Sequence, residues 1–113
     1  MSDYTVVVGL GNPETAGRLM RIGCMMAKQF DGRIEAVTVI DTDHAPPVAT
    51  PERHDRMSAA YDLLATAEVV AGECEACSSG YIAIGRPVAE VLDELAESTD
   101  ASLIIIGYSE RTH

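Results

Sequence analysis

Apolar residues in this chain come in short unbroken runs, separated by longer stretches where they recur every three or four positions. Thr5 to Leu10 is such a run, as are the apolar part of Arg33 to Ile40 and the stretch Leu103 to Ile106. Short continuous runs are the mark of strands covered on both faces, as in a parallel sheet. Between the first two runs, Leu19, Ile22, Gly23, Met26, Ala27 and Phe30 fall at helical spacing. Gly11-Asn12-Pro13-Glu14 opens that helix: Asn12 is a good N-cap, proline fits the first turn, and the glutamate suits the positive end of the helix dipole. Asp31-Gly32 closes it.

The same grammar continues. Asp41 to Thr50 is a polar, proline-containing loop, and Thr50-Pro51-Glu52 repeats the cap, proline and acid signal. A helix is expected from Pro51 to about Val70, with Met57, Ala60, Tyr61, Leu64 and Ala67 on its apolar face. A third strand belongs between Glu73 and Ile84, but Ser78-Ser79-Gly80 interrupts it and leaves its register open. Gly85-Arg86-Pro87 opens a third helix with Val88, Val91, Leu92 and Leu95 at helical spacing, which runs out at Ser98-Thr99-Asp100. Ser102 to Ile106 is the fourth strand. Four apolar runs separated by three capped helices predict an α/β, doubly wound (Rossmann-like) parallel sheet of order 3-2-1-4, with helices on both faces and a single domain over residues 1–113. In such sheets ligands sit outside the carboxyl ends of the strands, so Gly107, just past the fourth, marks where a site is expected.

Composition narrows the function. The chain is 113 residues long with 47% hydrophobic residues, enough for one folded core. No apolar run approaches the roughly 20 residues a membrane span needs, and Met1-Ser-Asp-Tyr4 shows no signal-peptide pattern, so a soluble, cytoplasmic chain is expected. The formal net charge of −10 argues against nucleic acid and anionic membranes as partners. Lys28 is the only lysine among eight basic residues. This acid-rich, lysine-poor usage suits a surface kept soluble at high salt, and it equally suits an ordinary acidic protein.

Four segments taken in order carry a family resemblance: Tyr4-Thr-Val-Val-Val-Gly-Leu-Gly-Asn-Pro-Glu14, Glu35-Ala-Val-Thr-Val-Ile-Asp41, Ile84-Gly-Arg-Pro-Val88 and Asp100-Ala-Ser-Leu-Ile-Ile-Ile-Gly107. Together they resemble the universal stress protein family, an adenine-nucleotide-binding type of α/β fold. The opening Gly11-Asn-Pro-Glu-Thr15, leading into Arg18-Leu-Met-Arg-Ile22, is similar to the stress-protein domains appended to archaeal cationic amino-acid transporters. The resemblance stops before the family's last helix and strand, which are expected to be missing because the sequence ends at His113.

The departures matter as much as the match. The resemblance implies an aspartate after the first strand to hold adenosine, where this chain has Gly11. It implies a Gly-x-x-Gly after the fourth strand and a later Gly-Ser or Gly-Thr, whose backbone N–H groups and hydroxyl cradle phosphates. Gly107 matches the first glycine, but Glu110 stands at the second and would repel phosphate. The implied nucleotide site is therefore degenerate and comprises Gly9, Leu10, Gly11, Asn12, Val39 and Gly107, with no cofactor expected and ATP as the alternative. The function expected is a non-catalytic regulatory or interaction domain, such as the cytosolic domain of an amino-acid transporter, with an adenine-nucleotide-binding stress-response module as the alternative and a thiol redox protein using Cys74 and Cys77 as the second alternative.

Other constellations are weaker. Cys24, Cys74 and Cys77 are an odd number of cysteines in a chain without a secretion signal, so no disulfide framework is expected. Cys74-Glu-Ala-Cys77 could serve redox chemistry or metal binding, but it lacks the second ligand pair zinc needs, and on a strand its thiols would point to opposite faces. Structural thiols are expected. His44 sits in the loop after the second strand and could meet a ligand or only solvent; His54 is expected at the surface, and His113 is terminal. Met20, Met25, Met26 and Cys24 crowd the first helix and are expected in the core, or else at an interface. Gly9-Leu-Gly11 lacks the third glycine of a dinucleotide turn, Glu14 standing there. No triad or carboxylate pair supports an enzyme. With no fifth strand to cover it, the fourth-strand edge from Ser102 to Ser109 is expected to pair in a homodimer.

Overall fold

The computed structural model describes residues 3–40, 51–84 and 87–106. Residues 41–50, among them His44, residues 85 and 86, and residues 107–113, among them Ser109 and Glu110, lie outside the described residues. The elements run β1 (Thr5–Leu10), α1 (Pro13–Gln29), β2 (Arg33–Ile40), α2 (Pro51–Glu73), β3 (Cys77–Ile84), α3 (Val88–Thr99) and β4 (Leu103–Ile106). All strand pairs are parallel and the sheet order is β3-β2-β1-β4, the doubly wound arrangement that the alternating pattern implies.

The two faces of the sheet are covered differently. Side chains alternate along each strand, and Val6, Val8, Leu10, Ile34 and Ala36 point to one face, where they pack with Ala16, Leu19, Met20, Cys24 and Ala27 of α1 and with Leu63, Ala67, Val70 and Ala71 of α2. Val7 and Val37 point to the other face and meet Leu92 and Leu95 of α3. The triplet Val6, Val7 and Val8 is 0% exposed because β1 is central and sandwiched between both layers. Burying each such side chain contributes roughly 1.5–3 kcal/mol.

The helix ends follow from local chemistry. The Asn12 side chain accepts from the Glu14 amide at 2.9 Å, as expected of an N-cap before Pro13. Asp31 and Asp100 take left-handed backbone, φ 53° and 52°, to turn the chain out of α1 and α3.

Three details differ from the sequence pattern. The apolar stripe of α2 is Ala60, Leu63, Ala67, Val70 and Ala71, and the helix continues one turn past Val70 to Glu73. Tyr61, expected on the buried face, is 61% exposed, while Leu64 is half-buried. The small residues at 60, 67 and 71 let α2 lie close to α1, and that contact rotates the buried stripe away from Tyr61. In α1, Met20 and Cys24 are core as expected, but Met25 is 63% exposed and Phe30 reaches the surface, where it stacks on Tyr4 at 4.6 Å. Ser78-Ser79-Gly80, which looked like an interruption, lies inside β3, paired with Ile34, Glu35 and Ala36. As an edge strand, β3 has less to bury, and these three residues are exposed.

Candidate functional site

β1 and β2 run side by side with Leu10 opposite Thr38, so the chain leaves both strands at the same end of the sheet. A cleft of about 200 Å³ opens there, lined by Gly11, Thr38, Val39, Ile40, Ala59, Ala60 and Leu63. The Ala59-Ala60 pair on α2 leaves the space, since larger side chains would fill it. This is the carboxyl end of a parallel sheet, where open α/β folds bind ligands.

The residues expected here divide by role. Gly11 and Val39 line the cleft together. A Cβ built on Gly11 would meet nothing within 4 Å, so this wall is open where a side chain could stand. Asn12 adjoins it, but its carboxamide oxygen is occupied by the Glu14 amide. The amides of Thr15 and Ala16 donate to the Asn12 carbonyl at 3.1 and 3.0 Å, and Pro13 has no N–H. The first turn of α1 therefore satisfies its own donors and leaves none aimed at an anion. Leu10 points away into the core and is 4% exposed. Gly9 is a packing position: a Cβ there would come 3.1 Å from Cγ2 of Ile106 and 3.6 Å from Leu92. Gly107 lies outside the described residues. Sequence reasoning missed Thr38, Ile40, Ala59, Ala60 and Leu63; the parallel register and the alanine pair are the signals that join them.

Among the described lining residues none is titratable, so these walls offer shape and apolar contact. A second groove, of about 400 Å³, lies along the sheet edge between α2 and β3, with Tyr61, Glu68, Ser78 and Ser79 among its lining residues. It shares no lining residue with the strand-end cleft. On the opposite, α3-side face of the sheet, burial and the Glu35 carboxylate raise the pKa of the Tyr81 phenol, and Arg33 approaches Glu35 at 3.7 Å.

The Cys74-x-x-Cys77 pair spans a turn rather than one strand: Cys74 follows α2, Glu75 has φ 58°, and Cys77 begins β3. Cys74 packs against the core that contains α1, whereas Cys77 is exposed at the register position of Arg33. No group of three or more His, Cys, Asp or Glu side chains among the described residues could hold a metal ion. No helix among the described residues is long and apolar enough to cross a membrane.

The sequence profile of the universal stress protein family matches residues 4–113. The chain belongs to the universal stress protein family. A universal stress protein from Archaeoglobus fulgidus superposes with a TM-score of 0.79 at 18% identity, over 96% of this chain and 79% of that one. A family protein from Burkholderia pseudomallei superposes at 0.75 and 21% identity, over 96% and 84%. The Archaeoglobus protein in complex with dAMP superposes at 0.73 and 17% identity, over 92% and 80%. At these identities the likeness shows the universal stress fold. No curated protein matches the chain.

Proposed function

We propose that this universal stress domain is a non-catalytic regulatory module whose strand-end cleft is a weakened adenine-nucleotide site. The observation that carries this is Gly11, which lines the cleft with no side chain where nucleotide-binding relatives are expected to place a carboxylate. The self-satisfied first turn of α1 supports the same reading. Calorimetry with ATP and AMP tests it. Affinity no tighter than millimolar is expected, and micromolar affinity would overturn the weakened-site reading.

The second reading is a functional adenine-nucleotide-binding stress-response module. The dAMP complex of the Archaeoglobus neighbour favours it, as do the apolar walls of Val39, Ile40 and Leu63, which suit a purine face. Micromolar binding of AMP or ATP in the same experiment would establish it.

Two finer proposals concern context. The Gly11-Asn-Pro-Glu-Thr15 opening supports a role as the cytoplasmic appendage of an amino-acid transporter; whether the native reading frame also encodes membrane helices tests this. The β4 edge supports a homodimer: among the described residues β4 pairs with β1 alone, and Ile104 and Ile106 are 40% and 59% exposed.

A further inference from the structure

Cys24 and Cys74 meet where α1 packs against the end of α2. The Cys24 sulfur lies 4.0 Å from the Val70 carbonyl oxygen, the same oxygen that accepts the Cys74 amide at 3.0 Å. Both side chains belong to one packed cluster, Cys24 within it and Cys74 against it. Cys24 is 1% exposed, whereas Cys74 is only partly buried against the same core cluster. Cys77, although three residues from Cys74, is exposed and shares the sheet face of Arg33, away from α1 and α2.

We propose that Cys24 and Cys74 form a peroxide-oxidisable pair that closes into an intramolecular disulfide between α1 and the turn after α2. This pairing is distinct from the Cys74-x-x-Cys77 motif that the sequence displays, and it stands whether or not the cleft binds a nucleotide. The accessible partner reacts first. The Cys74 thiolate attacks the O–O bond of a hydroperoxide, forming a Cys74 sulfenic acid and releasing, for hydrogen peroxide, one water once protonated. Cys24 then attacks the Cys74 sulfur, losing its proton as the S–S bond forms and the sulfenic hydroxyl leaves as a second water. The two thiols give up two electrons and two protons, and the peroxide is reduced to two waters. Burial, followed by the hydrogen bond and charge of Cys74, pushes the Cys24 thiol up to about 12 against an opposing effect of Lys28. A thiol held protonated in this way is a poor first attacker, which leaves Cys24 the resolving role. The bridge would tie the middle of α1 to the far end of α2 and enclose β2 in the resulting loop.

The test uses the full chain, treated with hydrogen peroxide and mapped by mass spectrometry after cleavage at Glu75, which separates Cys74 from Cys77. Wild type is expected to lose two of its three thiols and to yield a linked peptide carrying Cys24 and Cys74. Cys77→Ser should give the same link, and Cys74→Ser, at a partly exposed position that tolerates serine, should abolish it. Cys24→Ser should leave a sulfenic acid on Cys74 that dimedone captures. A Cys74–Cys77 bridge, a bridge between two chains, or three thiols still reduced under excess peroxide would each overturn the proposal. Because Cys77→Ser and Cys74→Ser leave the core intact, the result does not depend on Cys24→Ser folding.

Discussion

A Cβ on Gly32 would fall on the carbonyl oxygen of Tyr4. That oxygen accepts the Arg33 amide at 3.0 Å, and the Gly32 amide itself closes α1 by donating to the Ala27 carbonyl at 2.7 Å. The left-handed turn is made one residue earlier, at Asp31, so position 32 needs glycine for space. Its neighbour is backbone, which cannot move without breaking the β1–β2 ladder. Gly32→Ala is expected to lower stability by about 2–4 kcal/mol. Urea unfolding measures this, and a variant within ~0.5 kcal/mol of wild type would contradict the account.

Gly11 has room for a carboxylate. Its backbone avoids the left-handed region, and no atom lies within 4 Å of a built Cβ. If the cleft is a weakened adenine-nucleotide site, Gly11→Asp should tighten AMP binding about tenfold or more, as one charge-assisted hydrogen bond to a ribose hydroxyl allows. Calorimetry on the pair of proteins checks it. Unchanged affinity would mean that position 11 is not what limits binding.

Asp100 ends α3 with φ 52° and ψ 52°, and the last turn of that helix carries no basic residue. A β-carbon is disfavoured in this backbone region, and a carboxylate at a helix C-terminus faces the negative end of the dipole. Asp100→Gly is therefore expected to stabilise the fold by about 1 kcal/mol, read as a raised melting temperature. A lowered melting temperature would show that the carboxylate has a compensating partner.

Alkaline pH should weaken the fold through Cys24. In the folded chain its thiol is pushed up from 9.0 to about 12, chiefly by burial. Below pH 9 both folded and unfolded chains keep the proton, and the full contribution is present. As pH rises from there towards 12, the unfolded chain releases the proton first and stability falls, at up to ~1.4 kcal/mol per pH unit. The raised Tyr81 pKa acts in the same direction at higher pH. Denaturation at pH 8 and pH 10.5 should show the loss in wild type, and Cys24→Ala should lose less. Parallel behaviour of the two proteins would remove Cys24 from the explanation.

The dimer proposal points to one side chain on β4. Ile105 is turned into the α1 side of the core, whereas Ile104 is 40% exposed on the opposite face. Ile104→Lys is expected to convert a dimer to a monomer by light scattering without loss of folding. A wild-type monomer at high concentration, or a dimer indifferent to the lysine, would reject the β4 edge as an interface.

Strand positions were legible because β1, β2 and β4 are apolar runs ended by turn residues, and α1 was legible because Asn12-Pro13 and Asp31-Gly32 punctuate it. β3 was harder. An edge strand can carry Ser78-Ser79-Gly80 without cost, so hydrophobicity does not define its start or register. The α2 stripe was misjudged at Tyr61 because single-helix spacing cannot say which of two adjacent stripes a neighbouring helix will cover. Within the cleft, Gly11 and Val39 follow from their places at the strand ends. Ala59, Ala60 and Leu63 come from α2, and only the packing of α2 across β2 brings them there. The Cys24–Cys74 contact joins residues far apart in sequence and was hidden by the nearer Cys77.

The placement of β4 has a consequence for how the chain is made. Val6 pairs with Leu103 and Gly9 with Ile106, so the first strand of the domain waits for the fourth. Until then β1 has β2 on one side and an open row of backbone donors and acceptors on the other. α1, α2, β2 and β3 can assemble early against the face holding Val6 and Val8, because their contacts need nothing from β4 beyond Leu103 and Ile105 at the margin. α3 and β4 must arrive together, since α3 packs on Val7 and Val37 and leads directly into β4. Closure of the sheet is thus a late, long-range event, slower than the local helix and strand pairings that precede it. A chain paused on the ribosome before β4 emerges would present β1 as a sticky edge, and chaperone dependence during synthesis should be greatest at that stage.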